Sequence, residues 1–291
     1  MDGLKRLHVD GGLELEYRLR RSGGASKGLV VLLHGVASNM TRWSQFVDET
    51  TLTRSLDVLR IDLRGHGRVP WRGRLDMEAW CDDLVHVLNH ERCPRAYFIG
   101  HSLGAQIAVH FAHWHPDRAA GVVLIDPLLS RALLGHLRLA SHFAFLLRAA
   151  IAVTRMLNRL GIHRRHIPYR DLRTLDEEMR KRLESEGRTR AIVRYYGSPL
   201  PDLKHFPTAN FLQEIVQMIR PLPDLSGVTA PVLVVLSSGV TYTDPGATRE
   251  RIDRFPHAET VTIDAYHWPL TEKPVEVRQA IESWFAALDT G

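Results

Sequence analysis

The sequence predicts an α/β fold: a mostly parallel, doubly wound sheet that carries an inserted helical cap. Three observations predict it. Short aliphatic runs of strand length recur along the 291 residues. Stretches with helical spacing separate them. The alternation stops between about residues 127 and 228, where helical patterns follow one another without a convincing strand. The expected division is a core of 1–127 and 229–291 and a cap of 128–228.

LHVDGGLELEYRLR alternates polar and apolar residues around Gly11-Gly12 and reads as a β-hairpin. GLVVLLHG (28–35) is a continuous aliphatic run ending in glycine, the pattern of a strand buried on both faces. SLDVLRIDLRGHG (55–67) is a strand followed by a turn, and RAYFIG (95–100), GVVLID (121–126), PVLVVLS (231–237) and AETVTID (258–264) are further strands. MEAWCDDLVHVLNH (77–90) places Trp80, Leu84, Val87 and Leu88 on one helical face. Residues 103–115 form a helix ending before Pro116, residues 245–254 another, and PVEVRQAIESWFAAL (274–288) closes the chain.

Composition excludes several classes. Hydrophobic residues make up 44% and charged residues 24%, as in a soluble globular protein. No apolar run approaches the roughly 20 residues of a membrane-spanning helix, and the N-terminus has no apolar core of a secretory signal. The only cysteines, Cys81 and Cys93, make no disulfide framework, so a reducing cytoplasm is the expected compartment. The net charge of +5 is local: residues 131–170 hold eight arginines and no lysine or acidic residue, so the rest sums to −3. No nucleic-acid-binding motif accompanies this basic segment. If 131–160 is one helix, Arg131 and Arg138 lie about 20° apart, and Arg148, Arg155 and Arg159 within about another 40°. Ser141 and His142 share that arc, while Leu133, Leu137, Phe143, Leu147 and Ile151 lie mainly outside it. Three readings follow: a solvated arginine face over a packed cap, a lid meeting an anionic lipid surface, or a cap binding an acidic substrate.

The stretch YFIGHSLGAQIAVHF (97–111) carries the chemistry. Ser102 sits between an apolar strand and a helix, with Gly100 and Gly104 on either side. A strand-to-helix turn this sharp needs small neighbours and projects the hydroxyl from the sheet's carboxyl edge. The helix N-terminus places free N–H groups where an oxyanion would form.

With LLHGVASNMTRW (32–43), DLRGHG (62–67), GHSLG (100–104), GVVLIDP (121–127), PVLVV (231–235) and YHWPLTEKP (266–274) in order, the chain resembles the α/β-hydrolase fold superfamily. The resemblance implies the backbone N–H groups of Val36 and Leu103 as the oxyanion hole. It implies His267, after the last strand, as the general base. Many relatives have glycine where this chain has Tyr266. Most also place the catalytic acid in the loop after 231–237, where an ungapped count puts Val240, which cannot hold an imidazolium. Two acids remain: Asp126 at the end of GVVLID, the favoured choice, and Asp244, whose alternative role is to cap helix 245–254. Asp264 is too close in sequence to His267. His34 and His66 read as structural residues of glycine-flanked loops. His110, His113 and His115 do not share one helix face and make no metal pattern, so no cofactor or metal is expected.

The implied activity is that of a serine hydrolase, esterase- or lipase-like. It would cleave a carboxylic ester of an apolar acyl or aromatic substrate through an acyl-enzyme on Ser102. Thioesterase, C–C bond hydrolase and acyltransferase chemistry use the same catalytic triad. A non-catalytic ligand-binding receptor on this scaffold is the rival from another class, resting on Val240. A small-molecule ester is the expected partner.

Overall fold

The computed structural model describes residues 2–69, 71–128, 134–187, 195, 200–239 and 242–288. Eight strands form one sheet: β1 (Asp2–Val9), β2 (Leu13–Arg20), β3 (Leu29–Leu33), β4 (Asp57–Ile61), β5 (Ala96–His101), β6 (Ala119–Ile125), β7 (Val232–Ser237) and β8 (Ala258–Ile263). Their order is β1-β2-β4-β3-β5-β6-β7-β8. Only β2 runs against its neighbours. The β1–β2 turn uses Gly11 and Gly12 at φ 79° and 74°, a region open to glycine at little cost.

Among the described residues the core helices are α1 (Ser44–Glu49), α2 (Met77–His90), α3 (Leu103–Trp114), α9 (Pro245–Ile252), α10 (Pro269–Glu272) and α11 (Pro274–Leu288). Between β6 and β7 lie α4 (Gly135–His142), α5 (Ala144–Arg159), α6 (Leu172–Glu186), α7 (Leu200–Leu203) and α8 (Thr208–Met218), with no strand among the described residues.

Alternate residues of the buried strands feed two cores. Val31 and Leu33 pack with Trp80, Leu84 and Val87 of α2 and with Ile107 and Phe111 of α3. Val30 and Leu32 pack on the other face with Phe46 of α1 and with Val277, Ile281 and Trp284 of α11. The continuous aliphatic runs therefore reflect burial on both faces.

The basic segment, considered above as one helix over 131–160, is divided within the described residues. Phe143, at φ −103° and ψ 22°, separates α4 from α5. The Ser141 hydroxyl and His142 Nδ1 both hydrogen-bond the Arg138 carbonyl, at 2.6 and 2.8 Å, and compete with the helical ladder there. Its apolar residues do not all face inward either. Leu137 is buried, whereas Phe143, Phe145, Leu146, Val153 and Met156 are exposed. Arg131, Leu133 and Val240 lie outside the described residues. No described helix is long and apolar enough to cross a membrane.

Candidate active site

Parallel pairing of β5 with β6 sets His101 beside Ile125, so the residues that follow, Ser102 and Asp126, leave the sheet together. Ser102 has φ 54° and ψ −114°, a strained conformation for a residue with a side chain. The two glycines around it are fixed by close approach. A Cβ on Gly100 would stand 2.3 Å from the Gly104 carbonyl, and one on Gly104 would stand 2.3 Å from the Leu33 carbonyl oxygen.

His267 follows β8 and turns back over β5. Its Nε2 lies 3.0 Å from Ser102 Oγ, and its Nδ1 lies 2.5 Å from Asp126 Oδ2. Nδ1–H therefore donates to the carboxylate and Nε2 is left to accept from the serine hydroxyl. Ser102 and His267 are each 4% exposed, so this chain of hydrogen bonds runs through a medium of low polarizability.

Of the two candidate acids, the structure brings Asp126 to His267. Asp126 stands at φ 44°, and its other oxygen accepts the Ser237 N–H at 3.1 Å. Asp244 accepts the Ala247 N–H at 2.7 Å as the N-cap of α9. Asp264 accepts from the Ser238 hydroxyl.

The main chain around His267 is held as firmly as its ring. His101 Nε2 lies 2.8 Å from the His267 carbonyl, which can only accept, so His101 is the Nε2–H tautomer. Burial, helped by the neighbouring His267, lowers the His101 pKa to about 3 and keeps it neutral. The Ser237 hydroxyl donates to the Tyr266 carbonyl, and Glu272 accepts the Tyr266 N–H at 2.9 Å. The Tyr266 ring crowds Gly239, where a Cβ would lie 2.7 Å from it. Tyr242 instead stands edge-on to His267 at 4.9 Å, with Trp268 also edge-on at 5.4 Å.

Val36 and Leu103 flank the serine. Leu103 is the first residue of α3, so its N–H has no acceptor within the helix. Gly35, just before Val36, packs so closely that a Cβ there would meet Ser102 Cβ at 3.3 Å. The loop rests on His34, which is fully buried. Its Nε2 accepts the Leu63 N–H at 3.2 Å, leaving Nδ1–H to donate to the Gly35 carbonyl at 3.0 Å. Burial, then the neighbouring His66, drives the His34 pKa well below the usual histidine value.

Glu214 of α8 is the functional neighbour that sequence reasoning missed. Its carboxylate accepts the Ala37 N–H at 3.0 Å, where Ala37 adopts φ 49°. The other oxygen lies 2.5 Å from His66 Nε2, both side chains being wholly buried. Burial opposes a charge on His66, but the Glu214 carboxylate outweighs it and raises the pKa above the ordinary value. No local motif announces this contact, because Glu214 and Ala37 are 177 residues apart.

The three histidines of α3 and its end diverge. His110 stacks on Trp114, His115 on Phe111, and His113 lies against Gly227. Among the described residues no cluster of three or more His, Cys, Asp or Glu side chains could hold a metal ion.

A parallel sheet covered on both faces, with a strained serine at the β5–α3 turn and a histidine after the last strand, defines the α/β-hydrolase fold. Residues 24–274 match the family described as serine aminopeptidase, S33, and the chain belongs to that family within the α/β-hydrolase superfamily. It is 25% identical to the sn-1-specific diacylglycerol lipase ABHD11 of Mus musculus, over 94% of this chain and 86% of that one. It is 28% identical to the lipase LipV of Mycobacterium tuberculosis, over 40% of this chain and 43% of that protein's length. Among solved structures, the enol-lactonase of Burkholderia xenovorans superposes with a TM-score of 0.69 at 21% identity, covering 99% of this chain and 100% of the other. That last likeness is one of fold.

Proposed function

We propose that the chain is a serine hydrolase acting on carboxylic esters with apolar acyl or aromatic groups. One observation carries the reading: Ser102, His267 and Asp126 form a continuous hydrogen-bonded line, at 3.0 and 2.5 Å, in a strained strand-to-helix turn. In this mechanism His267 takes the Ser102 proton as Oγ attacks the acyl carbonyl. The Val36 and Leu103 N–H groups receive the developing oxyanion. Imidazolium returns the proton to the leaving alkoxide, and a water activated by His267 then cleaves the acyl-enzyme. Asp126 holds the tautomer and stabilises the imidazolium. The helices of 128–228 act as the cap, and Tyr242 and Trp268 supply an apolar wall beside the base. The mouse relative named a diacylglycerol lipase supports an acyl ester as substrate. The receptor reading rests on Val240, and the Asp126 carboxylate beside His267 speaks for the hydrolase instead. Two unbridged cysteines support a cytoplasmic site of action. A fluorophosphonate probe is expected to label wild type and not Ser102→Ala. Equal labelling of both, or of neither, would sink the proposal, and p-nitrophenyl esters of graded chain length would define the acyl group.

An anionic lipid surface is the partner this reading assigns to α5. Phe145, Leu146, Val153 and Met156, 52–63% exposed, fall within about 100° of the helix circumference. Arg148, Arg155 and Arg159 adjoin them within about 40°. Leu147, Ile151 and Leu157 of the same helix are half-buried, so α5 has a packed face and a separate outward apolar stripe. A second copy about a two-fold axis would set these arginines against themselves, whereas an anionic surface neutralises them. Each arginine near such a surface contributes about 1 kcal/mol. Co-sedimentation with phosphatidylglycerol vesicles is expected to fall more than tenfold in Arg148→Glu/Arg155→Glu and also in Phe145→Asp. Unchanged sedimentation, or concentration-dependent dimerisation relieved by the same variants, would remove the assignment.

A further inference from the structure

A second basic feature lies apart from α5. Five arginines from two distant stretches, Arg68 and Arg72 after β4 and Arg164, Arg165 and Arg170 after α5, converge on one open cavity of about 330 Å³. A solvated arginine face would spread such charges. Here they are gathered in a concavity, where walls of low dielectric concentrate the field. None of the five forms an ion pair with a carboxylate among the described residues.

Three of the five are held by contacts to neutral groups, and Arg170 also acts electrostatically on Asp202 and Asp176. Arg164 donates to the Lys204 and Phe206 carbonyls, at 3.2 and 2.5 Å. Arg68 stacks over Tyr169 at 4.4 Å, and Arg170 donates to the Tyr195 hydroxyl. Arg72 and Arg165 are exposed and make no hydrogen bond to another described residue. The acidic side chain in the lining is Asp202, whose pKa is raised by burial. Asp62, nearby, spends its two oxygens on the Met40 and Arg68 N–H groups.

The cavity shares the loop that follows β3 with the reactive centre. Ala37, Ser38 and Asn39 form part of its wall, immediately after the proposed oxyanion donor Val36. Glu214 fixes the near end of the wall through the Ala37 N–H. Guanidinium groups present paired donors that match the oxygens of a carboxylate or phosphate.

We propose that this cavity is an anion subsite of the hydrolase, and that the substrate is an ester bearing a carboxylate or phosphate apart from the scissile carbonyl. The inference rests on the serine hydrolase reading. Two sources of such an anion are a carboxylated acyl chain and a phosphorylated glycerol ester.

Two substrate pairs test it with the full chain: the p-nitrophenyl half-ester of adipic acid against p-nitrophenyl hexanoate, and 1-acyl-lysophosphatidate against 1-acylglycerol. Wild type is expected to favour the anionic member of at least one pair by about tenfold or more in kcat/KM, as charged hydrogen bonds provide. The pair that shows the preference identifies the source. In Arg72→Ala/Arg165→Ala that ratio is expected to fall towards one. Absence of preference in both pairs, or a preference that survives the double variant, would overturn the proposal. Calorimetric binding of inorganic phosphate separates it from the hydrolase reading. If no ester is cleaved but phosphate binds wild type and not the double variant, the subsite stands and the hydrolase reading alone falls. If no ester is cleaved and phosphate does not bind, both fall.

Discussion

His267 is positioned by groups the sequence motifs do not advertise. Asp126 orients its ring, His101 its carbonyl, and Ser237 ties both the acid and the neighbouring Tyr266. Replacing Asp126 by Asn would offer an amide in place of the acceptor that selects the Nδ1–H tautomer. A loss of about 10⁴-fold in kcat is expected, measured with a short p-nitrophenyl ester. Asp244→Asn removes no bond to His267, so kcat should hold, and thermal denaturation should register at most about 1 kcal/mol from the weakened cap. The His66–Glu214 pair gives a prediction in pH. His66 has a raised pKa, so its stabilisation is complete below the ordinary value of 6.5 and is lost as pH rises through the raised one. Wild-type Tm should therefore carry a decline on the alkaline side of 6.5 that Glu214→Gln lacks. Ser102 and His267 were legible because their signals are local: a glycine-flanked turn, and a histidine following the last strand. The choice between Asp126 and Asp244 was harder to read, since it depends on where β7 ends and which N–H groups it offers. Glu214 was invisible, because its meaning arises only when α8 meets the loop after β3.

At the scale of elements, the aliphatic runs gave β3 to β7 to within a residue or two, because burial on both faces leaves little room for polar residues. Helices α2 and α11 were equally plain from their spacing. The break at Phe143 was not, because it comes from side chains competing for one carbonyl, which leaves the apolar periodicity of α4 and α5 intact. The β5–α3 turn is the least forgiving joint. A methyl group at Gly104 would strike the backbone of β3, which cannot yield without displacing the loop that carries Val36. Gly104→Ala is expected to cost about 1–3 kcal/mol of stability, and to depress kcat more than KM. Urea denaturation and steady-state kinetics read the two effects.

Across the whole molecule, the helical segment after β6 is fastened to the loops at the sheet's carboxyl edge by buried polar contacts. Arg42 pairs with Asp176 of α6, which also accepts from the Thr271 hydroxyl at 2.9 Å. Asn210 of α8 donates to the Gly65 and Trp71 carbonyls, each at 3.1 Å. Asp176→Ala would remove the carboxylate that neutralises the buried Arg42 guanidinium, which keeps its bond to the Thr271 hydroxyl, and is expected to lower stability by about 3 kcal/mol, seen as a reduced midpoint in chemical denaturation. Such long-range pairs set how the segment sits, and a linear reading of charges cannot assign them. Gln106 of α3 adds a last fact of this kind. Its single amide nitrogen donates to the Leu128 carbonyl, where the segment departs, and to the Met218 carbonyl, where α8 ends. Exit and return therefore stand within the reach of one side chain. A splice of two or three residues from 128 to 218 could close the remaining chain with little loop entropy, so this architecture is open to modular exchange of the helical segment.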